Sequence, residues 1–454
     1  MKIKSNKKVE TIFLILGSIF ICTMTFLMPI NRVPDEANHA RMAWETVHKT
    51  TNQSFKWMDD ISDKAPIDKK EYSNFFINKI DMTKEKFDFN FKASNIVHLP
   101  QLIGMSIAAL IYPSVGLIFI LGRIMNGIVY VLGMYFIIRY AKFGKFALSF
   151  ISLLPIMIQQ AASLSYDVAN YLAISFFFAL ITNIVSKKEF DEKNFIYLII
   201  SIFLLYNTKK NNLALLVLLV FVHFKFSGKM RKIEPIHFKI QRFIEKKKTI
   251  LISMGLILSV LIAFLFLRNN GGFLNFIQVM FNSLFNNNAN THLNGILTIG
   301  MFGYLGLFNI QFPLWIIFLN VLFIFILMYA DYNESIEVEE DFGLASFLIF
   351  PIQVILIVGG MYFAWTPVVL GNGALISVGA QGRYFTPFIV FTAPFLLSRI
   401  DKLKLTIQSN QSYKILIYGS IVNFLLSIIL ILLFYWFPDF QLNWLLVLKD
   451  WMVK

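Results

Sequence analysis

Apolar residues in this chain do not recur as a helical stripe. They come in blocks separated by short polar stretches, and Thr11 to Ile30, Val115 to Ile138 and Ile415 to Phe437 show the pattern most clearly. A helix needs about 20 consecutive apolar residues to cross the hydrocarbon core of a bilayer, and these blocks supply them. The pattern predicts an all-α polytopic helical bundle of about 11 transmembrane helices, read at 11–30, 116–138, 147–164, 168–186, 194–207, 213–224, 249–267, 312–330, 343–363, 384–398 and 415–437. The fifth and sixth are too short to cross alone, so they read as two short helices meeting at Lys209 and Lys210. Leu99 to Tyr112 and Gly295 to Phe308 are apolar but short, and read as helices lying at the outer interface or re-entering the membrane.

Composition agrees. Of 454 residues, 57% are hydrophobic and 15% charged, whereas a soluble domain carries roughly a quarter charged residues. The whole chain, 1–454, reads as one integral membrane domain. Met1 to Glu10 carries four lysines before the first block, which has no small-residue cleavage site and so reads as an uncleaved first span. Cys22 is the only cysteine, which excludes an intramolecular disulfide and a cysteine metal site.

The net charge of +14 would suggest nucleic acid in a soluble protein. Here the excess sits in short loops, where it encodes topology. The N-terminus, Arg139 to Lys145, Lys187 to Lys193, the basic loop 225–248 with its nine Lys/Arg, and Arg399 to Lys414 are expected in the cytoplasm. That leaves outside a first loop, 31–98, with eleven basic and eleven acidic residues, the stretch Arg268 to Gln311, a second loop, 364–383, and the C-terminus. The expected location is a bacterial plasma or inner membrane, with the N-terminus cytoplasmic.

On this path the polar residues beside apolar blocks gather on the outer side. Pro34-Asp35-Glu36-Ala37-Asn38-His39 follows the first span. Pro34 and the two acids suit a helix start, and Asp35 and His39 share a face. They read either as a charged helix start or as a general base with a partner. Asp35 and Glu36 could also hold a divalent metal, Mg or Mn, through oxygen. Gln381-Gly382-Arg383-Tyr384 opens the tenth span, where Arg383 either snorkels to headgroups or grips a phosphate. Lys209 and Lys210 are costly at membrane depth unless paired or lining a polar cavity. Asp167 either caps a helix, pairs with a lysine or serves the site. Arg123, inside the second span, needs a partner or a polar cavity.

Three motifs carry a resemblance: Pro34-Asp35-Glu36 with His39, Gln159 to Asp167 ending Ser165-Tyr166-Asp167, and Gln381-Gly382-Arg383-Tyr384-Phe385 with Pro387. In this order, over about 11–437, the chain resembles a family of uncharacterised bacterial membrane proteins related to the C-type glycosyltransferases (GT-C fold). The acidic pair also looks like that of protein O-mannosyltransferases, and the basic residues like those of aminoarabinose transferases. The resemblance implies a GT-C-like bundle with a long first external loop and a sugar donor on isoprenoid phosphate or diphosphate. It implies a cell-envelope glycan or glycolipid acceptor at the outer face, membrane lipid as surroundings, and Asp35 as base with Glu36 beside it. His39, Asp167 and Arg383 match motif positions. No separate soluble C-terminal domain is expected from the pattern, which argues against a protein acceptor that needs the peptide-binding domain of oligosaccharyltransferases. Rival expectations are a transporter or flippase of a lipid-linked sugar, an envelope polysaccharide polymerase, and a non-enzymatic assembly partner.

Overall fold

The computed structural model describes residues 8–49, 55–59, 61–62, 64, 66–89, 91–268, 271–286, 288–289, 292–331, 337–399, 409–438 and 440. Six of its helices are long and apolar enough to cross a membrane: Val9–Leu27, Ala93–Ile111, Val115–Tyr140, Asp167–Lys187, Glu340–Ala364 and Asn410–Trp436. A seventh is added if Ser253–Arg268 and Phe273–Leu284, bent by 99°, count together. Strand structure among the described residues is confined to two small ladders, Glu189–Phe190 beside Lys225–Phe226 and Tyr304–Leu305 beside Ile310–Gln311. The protein is a multi-helix membrane protein.

The expected count of about 11 membrane helices is not reached among the described residues, and backbone chemistry explains much of the shortfall. The expected span 147–164 breaks into Lys145–Ser152 and Pro155–Ala161, because Pro155 lacks an N–H and disfavours helical geometry at Leu154. The tenth becomes a 3₁₀ turn, Thr386–Thr392, and a short helix, Ala393–Leu397, with Pro387 and Pro394 at their starts. The eighth is Leu314–Met328, only 15 residues. Part of the basic loop 225–248 is helical, since Glu234–Arg268 runs unbroken for 35 residues. Gly295 to Phe308 is not one helix but His292–Leu297, Ile299–Phe302 and a strand. The C-terminal residues 441–454, expected outside, lie beyond the described residues.

Leu99 to Tyr112 differs in another way. Joined to the turn before it, it becomes a 19-residue apolar helix, packed antiparallel on the start of Val115–Tyr140. Gly104 makes this possible: a Cβ there would lie 2.2 Å from the Leu121 carbonyl oxygen, so only glycine lets the backbones meet. The tip of this hairpin is tied to the first loop by the Ile80 amide, which donates to the Pro113 carbonyl at 2.6 Å.

The charged contacts sort to two ends of the bundle. At one, Lys188 pairs with Glu337 at 2.7 Å, His223 with Glu339, and Arg399 with Glu340 at 4.0 Å. There the Phe146 amide donates to Asp331 at 3.1 Å, and burial raises the Asp331 carboxyl to about 6, against the Phe146 amide and Lys145. This end joins stretches 139–145, 187–193, 225–226 and 337–341. At the other end lie the ends or starts of the helices that carry Asp35, Asp167, Lys209 and Arg383. Between them Asp167–Lys187 forms the central post, with Ile174, Phe177, Phe178 and Ile181 fully buried.

Candidate functional site

Each charged residue of the site is placed by a local break in the chain. Asp35 is the residue before the helix Glu36–Trp44 and takes a left-handed backbone, φ 64° and ψ 10°. Outside glycine, aspartate and asparagine are the residues that visit this region most readily. The turn aims consecutive carboxylates in different directions. Asp167 opens Asp167–Lys187. Lys209 ends Glu192–Thr208, where an extended residue leads into the 3₁₀ segment Lys210–Phe221. That junction is pinned by amides: Asn212 donates to Asn170 at 2.7 Å and Asn211 to Gln353 at 2.8 Å. Arg383 sits in the turn Gly382–Tyr384. A Cβ on Gly382 would fall 2.0 Å from the Gly300 carbonyl, and Thr386 donates to the Met301 carbonyl at 2.8 Å. Two segments 82 positions apart are thereby crossed backbone to backbone beneath the arginine.

The four side chains converge. Arg383 Nη2 donates to Asp35 Oδ2 at 2.8 Å. Its Nε lies 2.8 Å from Asp167 Oδ2, an ion pair that is not aligned as a hydrogen bond. Lys209 Nζ donates to Asp167 Oδ1 at 3.0 Å and stands 3.7 Å from the centre of the Tyr384 ring. Arg383 and Asp167 are buried, with side-chain exposures of 1% and 2%, whereas Asp35 is 42% exposed. Asp35 is therefore the member of the cluster open to an incoming molecule.

Histidine and tyrosine line the same place. His39 meets the Tyr166 ring edge-on at 4.7 Å, and His98 meets the same ring at 5.4 Å. Burial lowers the His39 imidazole to about 4; Asp167 and Asp35 oppose this, and Arg383 and Lys209 add to it. His39 is thus neutral at neutral pH. Burial also raises the Tyr166 hydroxyl. Several buried polar atoms here have no hydrogen-bond partner among the described residues: Arg383 Nη1, Gln381 Oε1, His39 Nδ1, both amide atoms of Gln160, and the Tyr171 hydroxyl. Buried polar groups are nearly always satisfied, so these atoms take their partners from outside the described protein atoms, as ordered water or a bound molecule would supply.

Glu36, paired with Asp35 in the sequence-based expectation, belongs elsewhere. Its carboxylate takes Arg123 Nε at 2.7 Å and Nη2 at 2.6 Å, the Asn31 amide at 2.9 Å and the Leu164 amide at 3.3 Å. Arg123 also donates to the carbonyls of Thr25, Met28 and Pro29. Both side chains are fully buried. The pair clamps the end of the first helix to Val115–Tyr140, and Glu36 has no oxygen left for catalysis or for a metal beside Asp35. Among the described residues no group of three or more His, Cys, Asp or Glu is arranged to hold a metal ion.

Of the residues expected at a site, the structure brings together Asp35, His39, Asp167, Lys209, Arg383 and Tyr384, with Gln381 beside them. Lys210 does not join: it is exposed, with its ammonium 5.8 Å from the Tyr206 ring. Sequence reasoning missed Tyr171, whose signal was its place one turn after Asp167, and Tyr166 as the ring between two histidines.

Residues 18–392 match the model of the family DUF2142, described as a predicted membrane protein. No curated protein and no solved structure matches the chain.

Proposed function

The chain belongs to the DUF2142 family of predicted membrane proteins, and we propose that it is a membrane glycosyltransferase that moves a sugar from an isoprenoid-phosphate donor to a cell-envelope acceptor. In this reading the fold is GT-C-like and the end of the bundle carrying Asp35 faces outward. The opposite end, where the basic stretches meet, faces the cytoplasm of a bacterium, as the positive-inside rule requires.

The observation that carries the reading is the unsatisfied buried guanidinium of Arg383 beside Lys209, with a part-exposed carboxylate on its open side. A buried cation with spare donors is suited to a phosphate oxygen. Asp35 and Asp167 already balance the two cations, so an arriving phosphate competes with Asp35 for Arg383. Its arrival frees the Asp35 carboxylate at the moment the donor is seated. Asp35 then takes the proton of the acceptor hydroxyl. The acceptor oxygen forms a bond to the anomeric carbon while the bond from that carbon to the phosphate oxygen breaks. The electron pair leaves with the phosphate, whose growing charge is met by Arg383 and Lys209. A single displacement of this kind inverts the anomeric centre. Neutral His39 and the ring of Tyr166 pack beside Asp35 and fix its surroundings.

The test is to express wild type, Asp35→Asn and Arg383→Ala in a host lacking the gene and profile lipid-linked and surface glycans by mass spectrometry. The reading requires a sugar-sized mass that wild type adds and that both variants lose while accumulating normally. Full glycan output from both variants would instead leave the cluster as structural and favour transport or a scaffold.

A further inference from the structure

The first outer loop contains a cleft of 640 Å³ away from the charged cluster, and we infer that it is a binding site for an uncharged oligosaccharide. One wall is built on Glu85, a buried carboxylate. Its Oε1 accepts from the Phe55 amide at 3.0 Å and from the Trp57 indole at 3.1 Å, and its Oε2 accepts from the Trp44 indole at 3.1 Å. The two indoles stand perpendicular, 87° apart with ring centres 6.1 Å apart. Phe55 is held at φ 62°, a conformation that a bulky residue adopts only when its surroundings force it. Because the Trp57 N–H is committed to Glu85, what Trp57 offers the cleft is ring surface. The facing wall is the helix Lys69–Ile77, started by Asp68 accepting from the Lys70 and Glu71 amides. It contributes Asn74 and Phe75, and Asn78 follows.

The charges lining the cleft argue against an ionic ligand. Three lysines, Lys56, Lys79 and Lys84, face three carboxylates, Glu71, Asp81 and Glu85. Lys84 is paired with Asp81 at 3.2 Å, and Lys79 lies over the Tyr112 ring at 4.8 Å. A phosphate or nucleic acid seeks unpaired cations in excess, and none are in excess here. Aromatic surface with amides and carboxylates at its rim is instead matched to a sugar. Its C–H face stacks on the ring, and its hydroxyls both donate and accept. Assigning this sugar as the acceptor glycan rests on the transferase reading, whereas its binding does not.

The full-length protein in lipid nanodiscs is applied to an array of neutral and anionic bacterial oligosaccharides, and the retained one is titrated by tryptophan fluorescence. Trp57→Ala should weaken binding about tenfold, as loss of an aromatic anchor does. Asn74→Ala, on an exposed helix face, should weaken it several-fold at unchanged melting temperature, and Asp35→Asn should bind as wild type. A blank array, retention of anionic glycans alone, or binding unchanged in both cleft variants overturns the inference. If the cleft variants lose binding but Asp35→Asn keeps glycan transfer, the transferase reading falls and the cleft stands. If Asp35→Asn abolishes transfer while the cleft variants keep both binding and acceptor KM, the cleft inference falls alone.

Discussion

Asp35 and Glu36 are adjacent, carry the same charge and each pair with an arginine, yet they occupy opposite kinds of site. Glu36 is sealed: its two oxygens take four described donors, and its partner Arg123 closes on three backbone carbonyls. Asp35 shares Arg383 with Asp167, is 42% exposed, and faces a guanidinium with a spare buried nitrogen. The left-handed turn at Asp35 sends one carboxylate into the bundle and leaves the other at its mouth. Saturation, more than burial or charge, separates an ion pair that holds helices together from one with hydrogen-bonding capacity to spare. A saturated pair has nothing left to exchange, and an unsaturated one gains free energy when a ligand supplies the missing partner.

The largest effect is expected from removing one half of the sealed pair. Glu36→Ala leaves Arg123 buried without its anion, which costs about 3–5 kcal/mol, so the variant should fail to accumulate in membranes. Accumulation at wild-type level with unchanged melting would erase the distinction between the two sites. Acid is the next strongest. Because burial lowers the folded His39 pKa from 6.5 to about 4, the unfolded chain takes up a proton first as pH falls. Stability from this residue is complete above pH 6.5 and is lost toward pH 4, at about 1.4 kcal/mol per pH unit. His39→Gln should flatten that part of the pH–melting curve, and an unchanged slope would place the acid sensitivity elsewhere.

Gly382→Ala tests the crossing beneath Arg383. Its new methyl meets the Gly300 backbone at 2.0 Å, an overpacking worth about 1–3 kcal/mol. The expected result is a lower melting temperature together with impaired glycan output. The smallest effect is assigned to Lys210→Ala, which should leave glycan output and melting within error of wild type. Lys209→Ala should lose output, since of the two lysines it is Lys209 whose ammonium is bonded to Asp167. Equal losses in the two lysine variants would mean that the ammonium groups act together, contrary to their placement.

Much of this arrangement was legible because it is local. Block hydrophobicity marked five of the six helices long enough to cross a membrane, all but Ala93–Ile111, and two runs too short to cross placed a break at Lys209. Polar residues at block ends picked out Asp35, Asp167 and Arg383. What stayed hidden depends on distance along the chain. The Glu36–Arg123 pair spans 87 positions, and no spacing rule connects them, although Arg123 inside an apolar block already demanded a partner. The division between Asp35 and Glu36 turns on one positive φ angle, and the division between Lys209 and Lys210 on one extended residue. The Trp44–Trp57–Glu85 cluster folds a polar loop on itself through indole N–H groups, which leave no periodic trace in sequence. Hydropathy also counts Pro155 and Pro387 within apolar runs and misses that they end the helical ladder.

In the proposed function the unsaturated cluster seats a phosphate. The most direct test is the binding of polyprenyl phosphate to the purified protein in nanodiscs, compared among wild type, Arg383→Ala and Asp35→Asn. Saturable binding is expected for wild type, with its loss in Arg383→Ala and equal or tighter binding by Asp35→Asn, because removing that carboxylate's charge releases the arginine it occupies. Binding that is indifferent to Arg383, or that falls when Asp35 loses its charge, would contradict the proposal.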